Sequence, residues 1–423
     1  MNPWRGLKGL PREIWILVSA TFVNRAGTMV LPFLVLYLTR TLHVSGGKAA
    51  LALTTYGIAA LMAMPVAGWL TDRAGALTVM RGSLFCTGLL LLMYPLAHRF
   101  ASILAISFLF AILNESVRPP SLALVSDLVA PARRKSAFAL SRLAVNLGMS
   151  IGPAIGGVLA AFSFRWLFYA DGITSLLGAA VLMFAWPKGA RVRAGEAQWD
   201  DAADLGREIE AEAPRLLATA HPAAELRAFR NPRMLYFLAA LIPVQLVFFQ
   251  FTSTLPLFLV RHLGMPEAIY GTIFTLNTLM IVALEVPLNS AMENWPHGRS
   301  LALGALLYAI GFGSYALVTR TAGVYAAVAI WTFGEMVLMP ASSAYAAEIA
   351  PKERRGEYMG LYTMSFSVAF ATGPWMGATT LERWGPQVVW GAAFVFGTVS
   401  AILMSRIGAK SGGGREETSG LKT

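Results

Sequence analysis

The chain has 423 residues, 56% of them hydrophobic and only 13% charged, about half the charged share of an ordinary soluble domain. That composition excludes a soluble enzyme, a fibre or a disordered chain as a reading of the whole. The net charge of +11 would suit a nucleic-acid partner, so the placement of the charges has to decide; the single Cys86 excludes an intramolecular disulfide and any cysteine metal cluster.

Arg5, Lys8 and Arg12 precede an apolar run, as in a signal peptide. That run is too long, is interrupted by Asn24 and Arg25 and has no small-residue cleavage site, so it reads as a retained first spanning helix. Apolar runs long enough to cross a bilayer recur at about 14–39, 49–70, 77–97, 101–126, 136–161 and 164–186. Six more follow at about 234–259, 267–291, 299–319, 323–347, 356–381 and 386–406. Membrane strands would alternate in polarity, whereas Leu84 to Leu96 is apolar on every face. The expected architecture is an all-α integral membrane protein of twelve transmembrane helices, with six in 1–186, six in 234–423 and a linker over 187–233. The linker's acids and bases balance, and Leu205, Ile209, Leu216 and Leu217 have partly helical spacing, which suits a short surface helix.

Arg40, Lys48, Arg99, Arg165, Arg261, Arg320 and Arg383 fall on one side of these spans. More than twice as many bases, including Arg73, Arg81, Arg133, Arg134, Lys352, Arg354 and Arg355, fall on the other. By the positive-inside rule both termini and the linker are cytoplasmic. The positive charge is then a topology signal, and a nucleic-acid partner is not expected.

The two halves repeat. Asn114-Glu115-Ser116-Val117-Arg118-Pro119-Pro120 corresponds to Gly334-Glu335-Met336-Val337-Leu338-Met339-Pro340, and Pro131 to Pro351. Gly152-Pro153 and Gly156 correspond to Gly373-Pro374 and Gly377. Two pseudo-symmetric six-helix bundles follow, the plan of secondary transporters that bind at the midplane between repeats.

The loop Gly68-Trp69-Leu70-Thr71-Asp72-Arg73-Ala74-Gly75, with Arg81 after it, resembles the loop signature of the major facilitator superfamily, although the basic pair that usually follows the last glycine is absent. A decayed copy is found in Asn289, Glu293, Gly298 and Arg299. Gly148, Gly152, Pro153, Gly156 and Gly157 match the Gly-x-x-x-Gly-Pro-x-x-Gly-Gly motif that this superfamily associates with proton-coupled antiporters. Small residues four apart also let helices pack closely, and the proline permits a kink. The tenth span resembles the glutamate-bearing helix of the superfamily's proton-driven bacterial multidrug exporters. The resemblance implies a monomer in a bacterial-type inner membrane. It implies gating by Gly68, Asp72, Arg73, Gly75, Asp127 and Arg133, which would latch the halves in the outward-facing state.

Few ionisable groups remain in the spans, and each calls for a partner or a water-filled cavity. Glu335 is the first candidate for a proton carrier, because desolvation disfavours its charged form and lets it exchange a proton as it changes sides. Its repeat mate Glu115 lies three residues before Arg118, a spacing for an ion pair on one helix face; by resemblance Arg118 takes part in proton transfer. Glu285 ranks third, and Arg25 would neutralise a buried glutamate or meet an anionic substrate. Asp171, a few residues into the sixth span, suits a structural role. Substrate contacts are expected from Asn24, Asn114, Gln245, Phe249, Gln250, Asn277 and Trp331. The expected function is export of amphipathic, cationic small molecules or drugs, driven by the proton gradient. The alternative is proton-coupled import of peptides or other small nutrients, since Phe22-Val23-Asn24-Arg25-Ala26-Gly27 resembles the first-helix signature of peptide symporters, with Asn24 where an acid belongs. No nucleophile-base motif, metal-ligand cluster or phosphate-binding loop is found in the sequence, so neither enzyme chemistry nor a bound cofactor is expected.

Overall fold

A computed structural model describes residues 9–129, 131–187, 228–351 and 354–407; the linker helix expected near 202–218 lies outside them. The first half contains α1 (Arg12–Thr41), α2 (Gly46–Ala74), α3 (Ala76–Leu96), α4 (Phe100–Leu128), α5 (Pro131–Phe162) and α6 (Arg165–Ala185). The second contains α7 (Pro232–Thr252), α8 (Glu267–Ala291), α9 (His297–Leu317), α10 (Thr321–Glu348), α11 (Arg355–Trp384) and α12 (Pro386–Ser405). Eleven of these are long and apolar enough to span a bilayer by composition, and α11, 30 residues long, is the twelfth. All seven bases assigned above to the less basic side flank the ends of α1, α3, α5, α7, α9 and α11, the face opposite the termini.

Three spans are interrupted. The first piece of α1 ends at Ala26 and the second begins at Val30. The first piece of α4 ends at Glu115 and the second begins at Arg118, where Pro119 and Pro120 remove two backbone donors. The last turn of α7 is tightened, and the chain resumes after Ser253 as Thr254–Leu257 and Phe258–His262. Between α2 and α3 the chain reverses at Gly75, whose φ of +83° is left-handed; its N–H bonds back to the Thr71 carbonyl at 3.0 Å, closing the helix end. Glycine is required there by conformation.

The halves meet through two helix pairs, α2 with α11 and α5 with α8. A methyl group at Gly57 of α2 would come within 3.0 Å of Ala371 Cα. Eleven residues on, three turns along the same face, a methyl at Gly68 would meet nothing within 4 Å, nor would one at Gly360, eleven residues before Ala371. The two helices cross near their middles and part toward the face that carries the termini. At that end the first half has its own core, with Ile14, Leu17, Met80, Leu84, Val125 and Leu140. Toward the opposite face a single core joins both halves, as in Phe33 packed edge-on against Tyr270 at 5.2 Å.

Candidate functional site

Burying charge at membrane depth is costly, and the structure gathers these charges around two cavities. The larger, about 620 Å³, lies in the first half between α1, α3, α4 and α5. Asn24, Arg25, Glu115, Arg118 and Arg142 line it, with apolar walls from Met80, Leu84, Phe138, Val145 and Met149. Arg25 stands 13 residues into α1, roughly 20 Å along its axis. The expected pair between Glu115 and Arg118 does not form, because the interruption of α4 separates them onto different helical pieces. Glu115 instead accepts from Tyr56 Oη at 2.7 Å and Asn114 Nδ2 at 3.3 Å, while Asn114 also donates to Tyr56 Oη at 2.7 Å. Asn24, buried, donates to Ser175 Oγ at 3.1 Å.

The smaller cavity, about 190 Å³, lies between α5 of the first half and α7, α8 and α10 of the second. Its walls are Asn146, Met149, Phe248, Phe251, Phe274, Asn277, Trp331 and Glu335, so Met149 separates the two cavities. Asn277 Nδ2 donates to Glu335 Oε2 at 2.8 Å and reaches Thr332 Oγ1 at 3.1 Å. Two turns along α8 from Asn277, Glu285 accepts both contacts of Arg142 Nη2, at 3.2 and 3.3 Å, which ties α5 to α8 across the halves. Glu285 is therefore committed to an ion pair. An aromatic row crosses the interface near these cavities: Tyr56 with Phe370 at 6.0 Å, Phe370 with Phe249 at 5.1 Å, then Phe248, Phe251 and Trp331. Trp331 Nε1 donates to Tyr315 Oη at 3.3 Å.

Gln245 and Gln250, expected to touch substrate, face α11 instead. Gln245 is buried and donates to Ser365 Oγ at 3.0 Å. Gln250 Nε2 donates to the carbonyls of Leu246 at 2.8 Å and Gly373 at 3.0 Å, and its Oε1 accepts from Thr254 Oγ1 at 2.5 Å. Asn24, Asn277 and Trp331 do line the cavities, whereas Asn114 is bound to Tyr56 and Glu115 and Phe249 belongs to the aromatic row.

The glycine motif of α5 packs on two faces. Methyl groups at Gly148, Gly152 and Gly156 would meet the interrupted stretch of α1, coming within 2.8 Å of Ala26 N, 3.0 Å of the Thr28 carbonyl and 3.2 Å of Met29 Cβ. Gly157 faces the other half, where a methyl group on it would come within 2.8 Å of Ala268 Cα, and the Pro153 carbonyl abuts Gly271 of α8. Asp171 completes the break in α1, accepting from Met29 N and Val30 N at 3.2 Å each, as a helix N-terminus favours. The repeat reproduces the packing: Ser253 Oγ, at the break in α7, donates to the Pro374 carbonyl of α11 at 3.1 Å.

The face opposite the termini is closed by contacts between the halves that the sequence did not indicate. Arg40 at the end of α1 pairs with Glu267 at the start of α8. Glu382 at the end of α11 accepts from the N–H groups of Gly46 and, at 2.9 Å, Gly47, capping α2 from the other half, and Arg261 stands 3.9 Å away. Toward the face with the termini the tie across the halves is the Arg142–Glu285 pair, six residues before the end of α8. Asp72, Arg73 and Asp127 are exposed there; Arg73 lies 4.2 Å over the Trp69 ring, and Arg299 lies 4.0 Å over Trp295 in the other half. The Arg133 side chain lies outside the described ones. Arg81, which follows the Gly68–Gly75 segment, donates to the Leu182 carbonyl of α6 through Nε at 2.9 Å and is held within its own half.

Two repeated six-helix bundles around a midplane site, sealed at one face and parted at the other, define a multi-pass membrane protein of the secondary-transporter class. The chain belongs to the Major Facilitator Superfamily, whose family pattern it matches over residues 17–268 and 252–420. It is 23% identical over 410 residues to the MFS-type transporter YqjV of Bacillus subtilis, covering 96% of this chain and 93% of that one. It is 23% identical to a Na(+), Li(+), K(+)/H(+) antiporter of Planococcus maritimus, over 85% of this chain and 87% of that one. The quinolone resistance protein NorA of Staphylococcus aureus is 25% identical over 172 residues, 39% of this chain and 43% of NorA. Among solved structures, a POT family transporter in complex with a thioalcohol-conjugated peptide superposes with a TM-score of 0.72 at 17% identity, covering 97% of this chain and 98% of that one.

Proposed function

We propose that the protein is a proton-coupled secondary transporter of a bacterial-type inner membrane, with both termini cytoplasmic, that exports amphipathic small molecules by alternating access. The observation that carries this reading is Glu335: a carboxylate on the cavity between the halves, whose hydrogen-bond partner among the described residues is the neutral Asn277. With no cation fixed beside it, the group can gain and lose a proton as the halves rock. One elementary charge crossing 100 mV is worth about 2.3 kcal/mol, enough to drive substrate uphill without a nucleotide. The glycine motif of α5 and the antiporter and resistance relatives support export, and the excess of bases at the terminal face supports its cytoplasmic placement. In this orientation the structure is the inward-facing state, and the exposed Asp72, Arg73 and Asp127 would close the cytoplasmic face once it turns outward.

The test is transport in proteoliposomes. Glu335→Gln is expected to lose uptake driven by an imposed pH gradient while keeping substrate exchange at equal pH; pH-driven transport equal to wild type overturns the carrier assignment. Import of peptides is the second reading, favoured by the fold shared with the POT transporters. Net flux against the proton gradient supports export, and co-directional flux supports import.

A further inference from the structure

The 620 Å³ cavity of the first half holds an excess of unpaired positive charge. Arg25, Arg118 and Arg142 line it against a single acid, Glu115. Arg142 is neutralised by Glu285 from the other half. Glu115 is held by Tyr56 and Asn114 and pairs with neither remaining arginine. Arg25 and Arg118 therefore face the cavity with no ion pair or side-chain hydrogen bond among the described residues. Arg118 is also the first residue of the second piece of α4, the positive end of a helix, which disfavours a cation and favours an anion. Arg118 is exposed, and the carboxylate acting on Arg25, Asp171, is itself taken up by Met29 N and Val30 N, so a carboxylate, sulfonate or phosphonate in the cavity would be held by both guanidiniums through charge-assisted, bidentate hydrogen bonds. The rest of the wall is apolar, with Met80, Leu84, Phe138 and Val145, and the volume is that of a drug-sized site.

We propose that the transported molecule is an organic anion, its acidic group held between Arg25 and Arg118 and its apolar body against Phe138, Met80 and Leu84. This deepens the transport reading of the same site, on which it rests, and replaces the cationic substrate expected from the sequence. A cation in this cavity would meet two unpaired arginines. Glu335 is left in its separate aromatic cavity, beyond Met149, for the proton. Proton and substrate then occupy different halves, so an anion need not compete with the carrier carboxylate.

The test is equilibrium binding to the purified full-length protein at one pH, using three probes of one shape: 2-naphthoate, neutral 2-naphthamide and cationic 2-naphthylmethylammonium. Because no gradient is present, the result does not depend on proton coupling, whose failure the Glu335→Gln experiment reports separately. Wild type should bind naphthoate at least about tenfold more tightly than the ammonium. Arg25→Gln and Arg118→Gln should each weaken naphthoate by about tenfold or more and leave naphthamide within about twofold as a check of folding, while Arg25→Lys and Arg118→Lys should each keep part of the naphthoate affinity. Three outcomes each overturn the proposal: no naphthoate binding by wild type up to about 1 mM, equal binding of anion and cation, or unchanged naphthoate binding in both glutamine variants.

Discussion

At the scale of single residues, the repeat gives each half a glutamate at the same position, and the surroundings give the two different work. Glu115 is bound by Tyr56 and Asn114 on the arginine-lined cavity, whereas Glu335 has Asn277 and an aromatic pocket. The Tyr56 hydroxyl both donates to Glu115 and accepts from Asn114, so it is the centre of that small network. Tyr56→Phe should lower stability by about 1–3 kcal/mol, the cost of leaving a buried acceptor short of a donor, seen as a lower thermal midpoint. In the Glu115→Gln background the same change should cost clearly less, because the two residues act as a pair. Equal losses in both backgrounds would show that the contact carries no energy of its own. The candidate acids, Arg25, Asn24 and Asn277 were legible as polar groups in apolar runs. Their partners were not: Tyr56 lies 59 residues from Glu115, and only the fold brings them together. Gln245 and Gln250 misled for a related reason, since a polar residue in a span serves equally well to bind the backbone of a neighbouring helix.

At the scale of helices, the spans were legible from apolar run length, and their observed ends lie within a few residues of the expected ones. The interruptions in α1, α4 and α7 were not, because a run remains apolar across a break whose backbone groups are satisfied from elsewhere, as Asp171 satisfies Met29 and Val30. The glycine motif acquires two separable meanings from its two faces. Gly152 presses on α1 within its own half, and Gly157 presses on α8 of the other. Gly152→Ala should therefore lower stability without altering which face is open. Gly157→Val should wedge α5 from α8 at the face opposite the termini and shift the population toward the state open at that face. Overpacking of this kind costs about 1–3 kcal/mol, equivalent to a shift of roughly 5- to 150-fold. The measurement is labelling of Ala268→Cys by an impermeant maleimide from the side opposite the termini, in a Cys86→Ser background. Faster labelling with Gly157→Val but not with Gly152→Ala is the expected outcome. No difference between the two would reduce the motif to packing within one half.

At the scale of the whole molecule, the two bundles and their symmetry were legible from the repeated Glu, Pro and Gly-Pro positions, but the state was not, since one sequence must encode both faces of the cycle. The structure adds the asymmetry: Glu382 and Glu267 close the face opposite the termini from the second half, while α2 and α11 diverge past Gly68 and Gly360 toward the terminal face. The surface ion pair between Arg40 and Glu267 is worth little by itself, because Arg40 is half exposed. The Glu382 cap differs in kind, since it satisfies backbone donors of α2 that otherwise depend on water. If rocking about this closed face is the transport step, fixing it should stop turnover without destroying the site. A Cβ at Gly47 would lie 3.7 Å from Thr379 Cα, close enough for Gly47→Cys and Thr379→Cys to approach the geometry of a disulfide across α2 and α11. In the Cys86→Ser background, oxidation of that pair should abolish net transport in proteoliposomes, and reduction should restore it. Ligand added from the side of the termini should bind the oxidised protein as well as the reduced one, because the helices already part at that face. Transport that persists in the fully oxidised protein would mean that the face opposite the termini need not open, and alternating access between these two bundles would be the wrong description.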